Sequence, residues 1–179
     1  MTDGVYIETE RLVIRRFCFD DLNDLFEILG DRETMQCLEP PYDKDAAKKF
    51  LLDFCIARKG ALAVALPKSG KMIGYLLFNR CGSADVYEMG WIFNKELWRK
   101  GYAFEACSAV IRYAFSELGA HKVFAETVDA VKSVPLMKKL GMKREGLQRK
   151  HVLGTDGEWK DVYLYGVLRE DARLVDQIR

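Results

Sequence analysis

The stretch NKELWRKGYAFEA, residues 94–106, gathers groups that could hold an anion. Two adjacent cations, Arg99 and Lys100, precede Gly101, and a long apolar helical run follows. The first turn of a helix has unpaired backbone N–H groups and about half a positive charge, which together attract a phosphate. Gly101 has no Cβ, so a ligand can come close to the backbone there. The spacing is neither the G-x-x-x-x-G-K-[ST] of a P-loop nor the G-x-G-x-x-G dinucleotide fingerprint. Taken alone, these residues fit equally well a glycine that shapes the start of a helix beside two solvated cations.

Other chemistries find less support. The five cysteines (Cys18, Cys37, Cys55, Cys81, Cys107) are odd in number, scattered and never spaced C-x-x-C, and only His121 and His151 could join them at a metal. No metal is expected, and the thiols are expected to be buried in a reduced, cytoplasmic protein. Net charge is +1, from 28 basic and 27 acidic residues, so no global field points to nucleic acid or a membrane surface. The N-terminus carries charge throughout, without the apolar segment of a signal peptide. No apolar run approaches the ~18 residues of a membrane span. Phe50, Phe54, Phe104 and Phe115 recur at helical spacing and are read as core.

The elements that must position the loop follow from periodicity. Tyr6–Phe17 alternates as one strand. Asp20 or Asp21 can cap a helix with Leu22, Leu25, Phe26, Ile28 and Leu29 on one face, ending near Gly30. EPPYD breaks the chain, and Asp43 opens a second helix carrying Ala47, Phe50, Leu51, Phe54 and Cys55. ALAVALP, MIGYLLFN and VYEMGWIF read as three strands. A helix is predicted over Phe104–Leu118, closed by Gly119, and then a buried strand KVFAETV. SVPLMKKLG reads as a short helix with Ser133 as N-cap, Pro135 in its first turn and Gly141 at its end. Two β-rich runs around GTDG make a long hairpin, and a charged tail, REDARLVDQIR, follows. No repeat or linker divides the chain, so a single domain over 1–179 and a mixed α/β sheet are expected.

Four stretches, in order, resemble the GNAT superfamily of N-acetyltransferases, and within it the branch of the ribosomal-protein N-terminal acetyltransferases (RimJ/RimL type). TERLVIRRFCFDDLNDLFEIL is similar to that branch's T-x-R-L-x-L-R opening before an acidic helix start. YEMGWIFNKELWRKGYAFEA resembles its E-x-G-Y/W strand followed by W-x-K-G-Y-A-x-E-A. SVPLMKKLGMKREGLQRK and GEWKDVYLYGVLRED resemble its last two motifs. Three positions depart from the pattern: Trp98 stands where the superfamily has Gln or Arg and is read as packing, Ala130 replaces an asparagine near the cofactor's pantetheine arm, and Met142 replaces an aromatic residue.

The resemblance implies a seven-stranded, mixed and mostly antiparallel sheet, with splayed central parallel strands and helices on both faces. It implies acetyl-CoA as co-substrate, its pyrophosphate held by backbone N–H groups of Arg99, Lys100, Gly101, Tyr102, Ala103 and Phe104. The pantetheine arm would lie along Trp91, Ile92 and Phe93, with Gly90 at a bulge and a backbone N–H near Trp91 or Ile92 facing the thioester oxygen. Glu88 becomes the candidate base that takes a proton from the attacking amine; otherwise it is a charge on a half-exposed strand. Ser133, also in the cofactor-binding set, becomes the candidate acid for the departing thiolate; it also reads as an N-cap, and the two roles can coexist. Tyr163 and Tyr165 are weaker alternatives, read as filling or bordering the core. Arg149 and Asp161 are expected to pair across the final hairpin. The acceptor would be a protein N-terminal α-amine or a small amine. The alternative is a non-catalytic acyl-CoA-binding module, which Ala130 favours and Glu88 and Ser133 oppose. Monomer and homodimer both stay open.

Overall fold

In a computed structural model, residues 4–37, 39–82 and 85–171 are described. The chain forms two compact units, Met1–Phe78 with Trp91–Ala109, and Asn79–Gly90 with Val110–Arg179. Most of the charged tail, residues 172–179, lies outside the described residues.

In the first unit the expected opening strand is two strands, β1 (Tyr6–Glu8) and β2 (Val13–Arg15), paired antiparallel with Ile7 opposite Ile14. The Thr9 N–H donates to the Leu12 carbonyl at 2.9 Å, a turn that alternation along the sequence could not disclose. β2 pairs antiparallel with β3 (Ala61–Ala65), and β3 with β4 (Met72–Arg80). Dividing the opening strand is what raises the strand count among the described residues from the expected seven to eight.

Helices α1 (Leu22–Leu29), α2 (Arg32–Met35) and α3 (Lys44–Lys49) carry the core of this unit. Leu25, Ile28, Leu29, Met35, Ala47, Leu51 and Cys55 cluster with Ala61, Ala63, Met72 and Tyr75 of β3 and β4. Two members of the aromatic run pack against this core: Phe50 stacks on Phe54 with ring centroids 5.1 Å apart and borders Tyr75 at 6.0 Å. α3 begins as expected, its N-cap Asp43 accepting the Ala46 N–H. From Phe50 to Ala57 the backbone loosens into π-helical turns, which periodicity at 3.6 residues could not separate from the helix before it. The four residues of α2 are too few to leave a pattern.

Asp21 is a correction. It precedes α1, but its side chain makes no cap; it is 3% exposed and grips Arg15 in a two-toothed ion pair at 2.8 Å while accepting the Cys18 N–H. Burial alone would raise its carboxyl pKa, but the Arg15 and Cys18 hydrogen bonds hold it below the ordinary value. The short turn that precedes α1 is thereby tied to β2.

In the second unit, the first part of β5 (Val86–Phe93) runs parallel to β6 (Lys122–Thr127). β6 pairs antiparallel with β8 (Trp159–Leu168), and β8 with β7 (Lys143–Leu153). Thus β8 returns between β6 and β7, as a hairpin arm must when it closes on a strand already in the sheet. The β5–β6 ladder covers only Val86–Glu88 and Lys122–Phe124, while β6 continues to Thr127 against β8. α4 (Tyr102–Ser116) begins two residues before the expected start and ends ahead of Gly119, whose φ is +70°. α5 (Ser133–Lys139) ends before Gly141, at φ +79°.

Arg149 and Asp161 form no ion pair. Asp161 accepts the Lys150 backbone N–H at 2.8 Å, in an irregular stretch of β7 where Lys150 has φ +49°. Among the described residues no helix is long and apolar enough to cross a membrane.

Candidate active site

β5 ends at a buried asparagine. The Asn94 side chain donates to Glu27 at 2.7 Å and accepts the Glu96 N–H, and its own N–H donates to the Ile73 carbonyl of β4. Phe93 is buried over Gly74, where a Cβ would lie 2.4 Å from its ring; only glycine permits that approach. Ile92 packs against the core and Trp91 is half-buried. After a short 3-10 turn, Lys95–Leu97, the Trp98 indole N–H donates to the Phe93 carbonyl at 2.8 Å, which fits its reading as packing.

The chain then turns sharply, with φ +61° at Arg99 and +84° at Gly101. An ordinary side chain pays about 1–2 kcal/mol to sit in this left-handed region, as Arg99 does. Arg99, Lys100 and Gly101 are exposed, and α4 starts at Tyr102. Among the described residues the N–H groups of Arg99 to Ala103 meet no acceptor; the Glu105 N–H donates to the Gly101 carbonyl at 3.0 Å.

Three residues from elsewhere in the quoted motifs fasten this loop. Glu105 accepts from the Thr9 hydroxyl at 2.6 Å, the Arg11 N–H at 2.9 Å and the Arg11 Nε at 2.7 Å. Arg11 Nη1 donates to the Lys100 carbonyl at 3.0 Å, and its guanidinium lies 4.6 Å from the centre of the Tyr102 ring. Burial would raise the Glu105 carboxyl pKa, but the hydrogen bonds from Thr9 and Arg11 outweigh it and lower the value. Thr9, Arg11 and Glu105 all sit in the motifs that resemble the family, yet their mutual contact was invisible in sequence because 94 or more residues separate the partners.

The second unit holds the proton-handling candidates. Glu88 is half-buried opposite Phe124. Its carboxyl pKa is raised, first by burial and then by the charge of Glu126, two residues beyond Phe124 on the same face of β6. That is the direction that makes a carboxylate a stronger base. Ser133 is the first residue of α5 and half-buried, but it is not the N-cap: Lys132 occupies that position and no side chain of its own caps the helix. The Asp129 carboxylate does the capping instead, accepting the Val131 and Lys132 N–H groups at 2.9 Å each. Ala130 is exposed in this turn. Tyr165 is buried and Tyr163 is half-buried, with the Arg144 guanidinium 5.9 Å from its ring centre, so both fill or border the core.

Residues 11–143 match the family described as the Acetyltransferase (GNAT) domain. The chain belongs to that family. It is 33% identical over 169 residues to the uncharacterized N-acetyltransferase YnaD of Bacillus subtilis (strain 168), covering 93% of this chain and 99% of the relative. It is 30% identical over 108 residues to the [ribosomal protein uS5]-alanine N-acetyltransferase of Escherichia coli (strain K12), covering 59% of this chain and 55% of that one. Its fold matches the crystal structure of the acetyltransferase (GNAT family) from Bacillus anthracis with a TM-score of 0.86 at 31% identity, over 93% of this chain and 99% of that one. The protein is therefore an acetyltransferase with the mixed α/β GNAT fold.

In this acetyltransferase the cysteines depart from expectation. Cys55 and Cys107 are buried, but Cys18, Cys37 and Cys81 are exposed, and all five are free thiols. Burial pushes the Cys55 pKa up to about 12 and raises Cys107 further, which suits packing rather than nucleophilic chemistry. The exposed three lie in loops and turns, outside the apolar patterns that carry burial information.

Proposed function

We propose that the protein is a cytoplasmic, single-domain N-acetyltransferase that transfers the acetyl group of acetyl-CoA directly to a primary amine, in the manner of the ribosomal-protein N-terminal acetyltransferase branch. The observation that carries the reading is the start of α4, where the N–H groups of Arg99–Ala103 meet no acceptor among the described residues, beside the exposed cations Arg99 and Lys100. They would hold the pyrophosphate, with Phe104 closing the turn. Trp91, Ile92 and Phe93 would line the pantetheine arm, and a backbone N–H near Trp91 or Ile92 would stabilise the thioester oxygen as it gains charge. Family membership supports acetyl-CoA as donor, and the partial likeness to the uS5-alanine enzyme supports a protein N-terminus as acceptor.

In this reading Glu88 takes a proton from the ammonium form of the acceptor. The free amine nitrogen attacks the thioester carbonyl carbon, the carbon–sulfur bond breaks, and Ser133 donates to the departing sulfur and is reprotonated from water. Thiol release from acetyl-CoA, followed across N-terminal peptides and small amines, tests this. Turnover on an N-terminal peptide is expected; coenzyme A binding with no turnover on any acceptor would leave only an acyl-CoA-binding module.

A further inference from the structure

We infer that Arg11 is a positioning residue for the phosphate loop, fixing both the direction of the Lys100–Gly101 peptide and the charge balance at the start of α4. This rests on reading the loop as the pyrophosphate site. A trans peptide is planar, with its C=O and N–H pointing opposite ways. Arg11 Nη1 holds the Lys100 carbonyl at 3.0 Å, so the Gly101 N–H is turned away from Arg11. The Tyr102 ring, 4.6 Å from the guanidinium carbon, limits how that group can tilt. Gly101 leaves room for the strut, since a Cβ there would lie 3.3 Å from Arg11 Nη2.

The charge argument is independent of the peptide argument. An ionised carboxylate in the first turns of α4 competes with an incoming phosphate for the positive end of the helix. Glu105 is such a carboxylate, the fourth residue of α4, and a swing of its side chain toward the N-terminus would bring its charge over the open N–H groups. Both its oxygens are instead committed: Oε1 to the Thr9 hydroxyl and the Arg11 N–H, Oε2 to Arg11 Nε with Nη2 at 2.6 Å. Arg11 thus turns the carboxylate aside and offsets its charge. Lysine, with a single ammonium, cannot bond the Lys100 carbonyl and Glu105 with the same planar fork.

The test is calorimetric titration of coenzyme A and of pantetheine, which lacks the pyrophosphate, into wild type, Arg11→Lys, Arg11→Met and the double variant Arg11→Met/Glu105→Gln. Both single variants should bind coenzyme A about tenfold more weakly, the scale of one lost charge-assisted hydrogen bond, with pantetheine affinity unchanged. Removing the Glu105 charge should restore part of the loss in Arg11→Met. Unchanged coenzyme A affinity in both single variants overturns the role of Arg11 while leaving the loop reading intact. Equal losses for coenzyme A and pantetheine also overturn it, because Arg11 would then act on the fold at large. If wild type itself does not prefer coenzyme A to pantetheine, the pyrophosphate reading falls first.

Discussion

The starts of α4 and α5 use the same four-N–H problem in opposite ways. At α5 the chain solves it internally: Asp129 takes the Val131 and Lys132 N–H groups just ahead of the helix, and the Asp129 carbonyl takes the Val134 N–H at 3.3 Å. At α4 the first-turn carboxylate, Glu105, is held by Thr9 and Arg11, and among the described residues the N–H groups of Arg99–Ala103 meet no acceptor. A helix start whose donors are taken has little left for a ligand; one whose donors meet no acceptor is available. In the proposed reading the first unit grips the cofactor, and the second, where Glu88 and Ser133 reside, handles protons.

The sharpest way to break that division is at the proton-handling end. Glu88→Gln should lower kcat about a hundredfold near neutral pH, the lower range for general base catalysis, with little change in coenzyme A affinity. The pH dependence carries the sign. Burial and Glu126 raise the Glu88 pKa, so the wild-type rate should fall as pH drops through that raised value. The variant should lack this limb, and its deficit should shrink as pH rises toward the acceptor's own pKa, about 8 for an α-amine. A variant profile parallel to wild type would remove Glu88 from the role.

Gly101→Val attacks the gripping end. The residue sits at φ +84°, and a new Cβ would meet Arg11 Nη2 at 3.3 Å, so the turn must move. Each N–H displaced from a phosphate oxygen forfeits about 1.5–3 kcal/mol, so coenzyme A affinity should fall at least tenfold. Because the loop is exposed, the folded state should survive, as thermal unfolding can verify. Unchanged affinity would mean the pyrophosphate binds elsewhere.

Ser133→Ala comes next in size. The structure removes one of two roles open to this serine, since it does not cap α5. The substitution should therefore leave Tm nearly unmoved while turnover drops about tenfold, a modest effect for a group that assists a leaving thiol already near pKa ~8.5. A drop in Tm with turnover intact would restore the purely structural reading.

What was legible beforehand follows the range of the signal. Strands β3, β4, β5 and β6 were read correctly because β-rich runs lie between turn residues, and Gly119 and Gly141 were found because positive φ selects for them. The short hairpin of β1 and β2, the four-residue α2 and the π-helical stretch after Lys49 were missed, because each is shorter than a period or shares its neighbour's pattern. At the site, Gly101 and the cations were visible as a local cluster. The Thr9–Arg11–Glu105 clasp was not, though every member lay in a quoted motif, because only tertiary structure brings such distant residues together. Ser133 was misread as an N-cap for the converse reason. Serine before an apolar run is a good local signal, and nothing in it reveals that Asp129 already holds the N–H groups.

Asp129→Ala completes the comparison with the smallest effect. It strips the cap from α5 and leaves the Val131 and Lys132 N–H groups without their acceptor. Loss of a helix cap costs about 1 kcal/mol, here moderated because both N–H groups belong to exposed residues that water can reach. Tm should fall by a few degrees, the shift such a loss produces in a chain of this size. Coenzyme A affinity should change far less than in Gly101→Val, because the uncapped donors belong to a helix of seven residues with little dipole to add. If Asp129→Ala weakened coenzyme A as severely as Gly101→Val, the two helix starts would share the work of binding. The contrast between a finished start and an available one would then be lost.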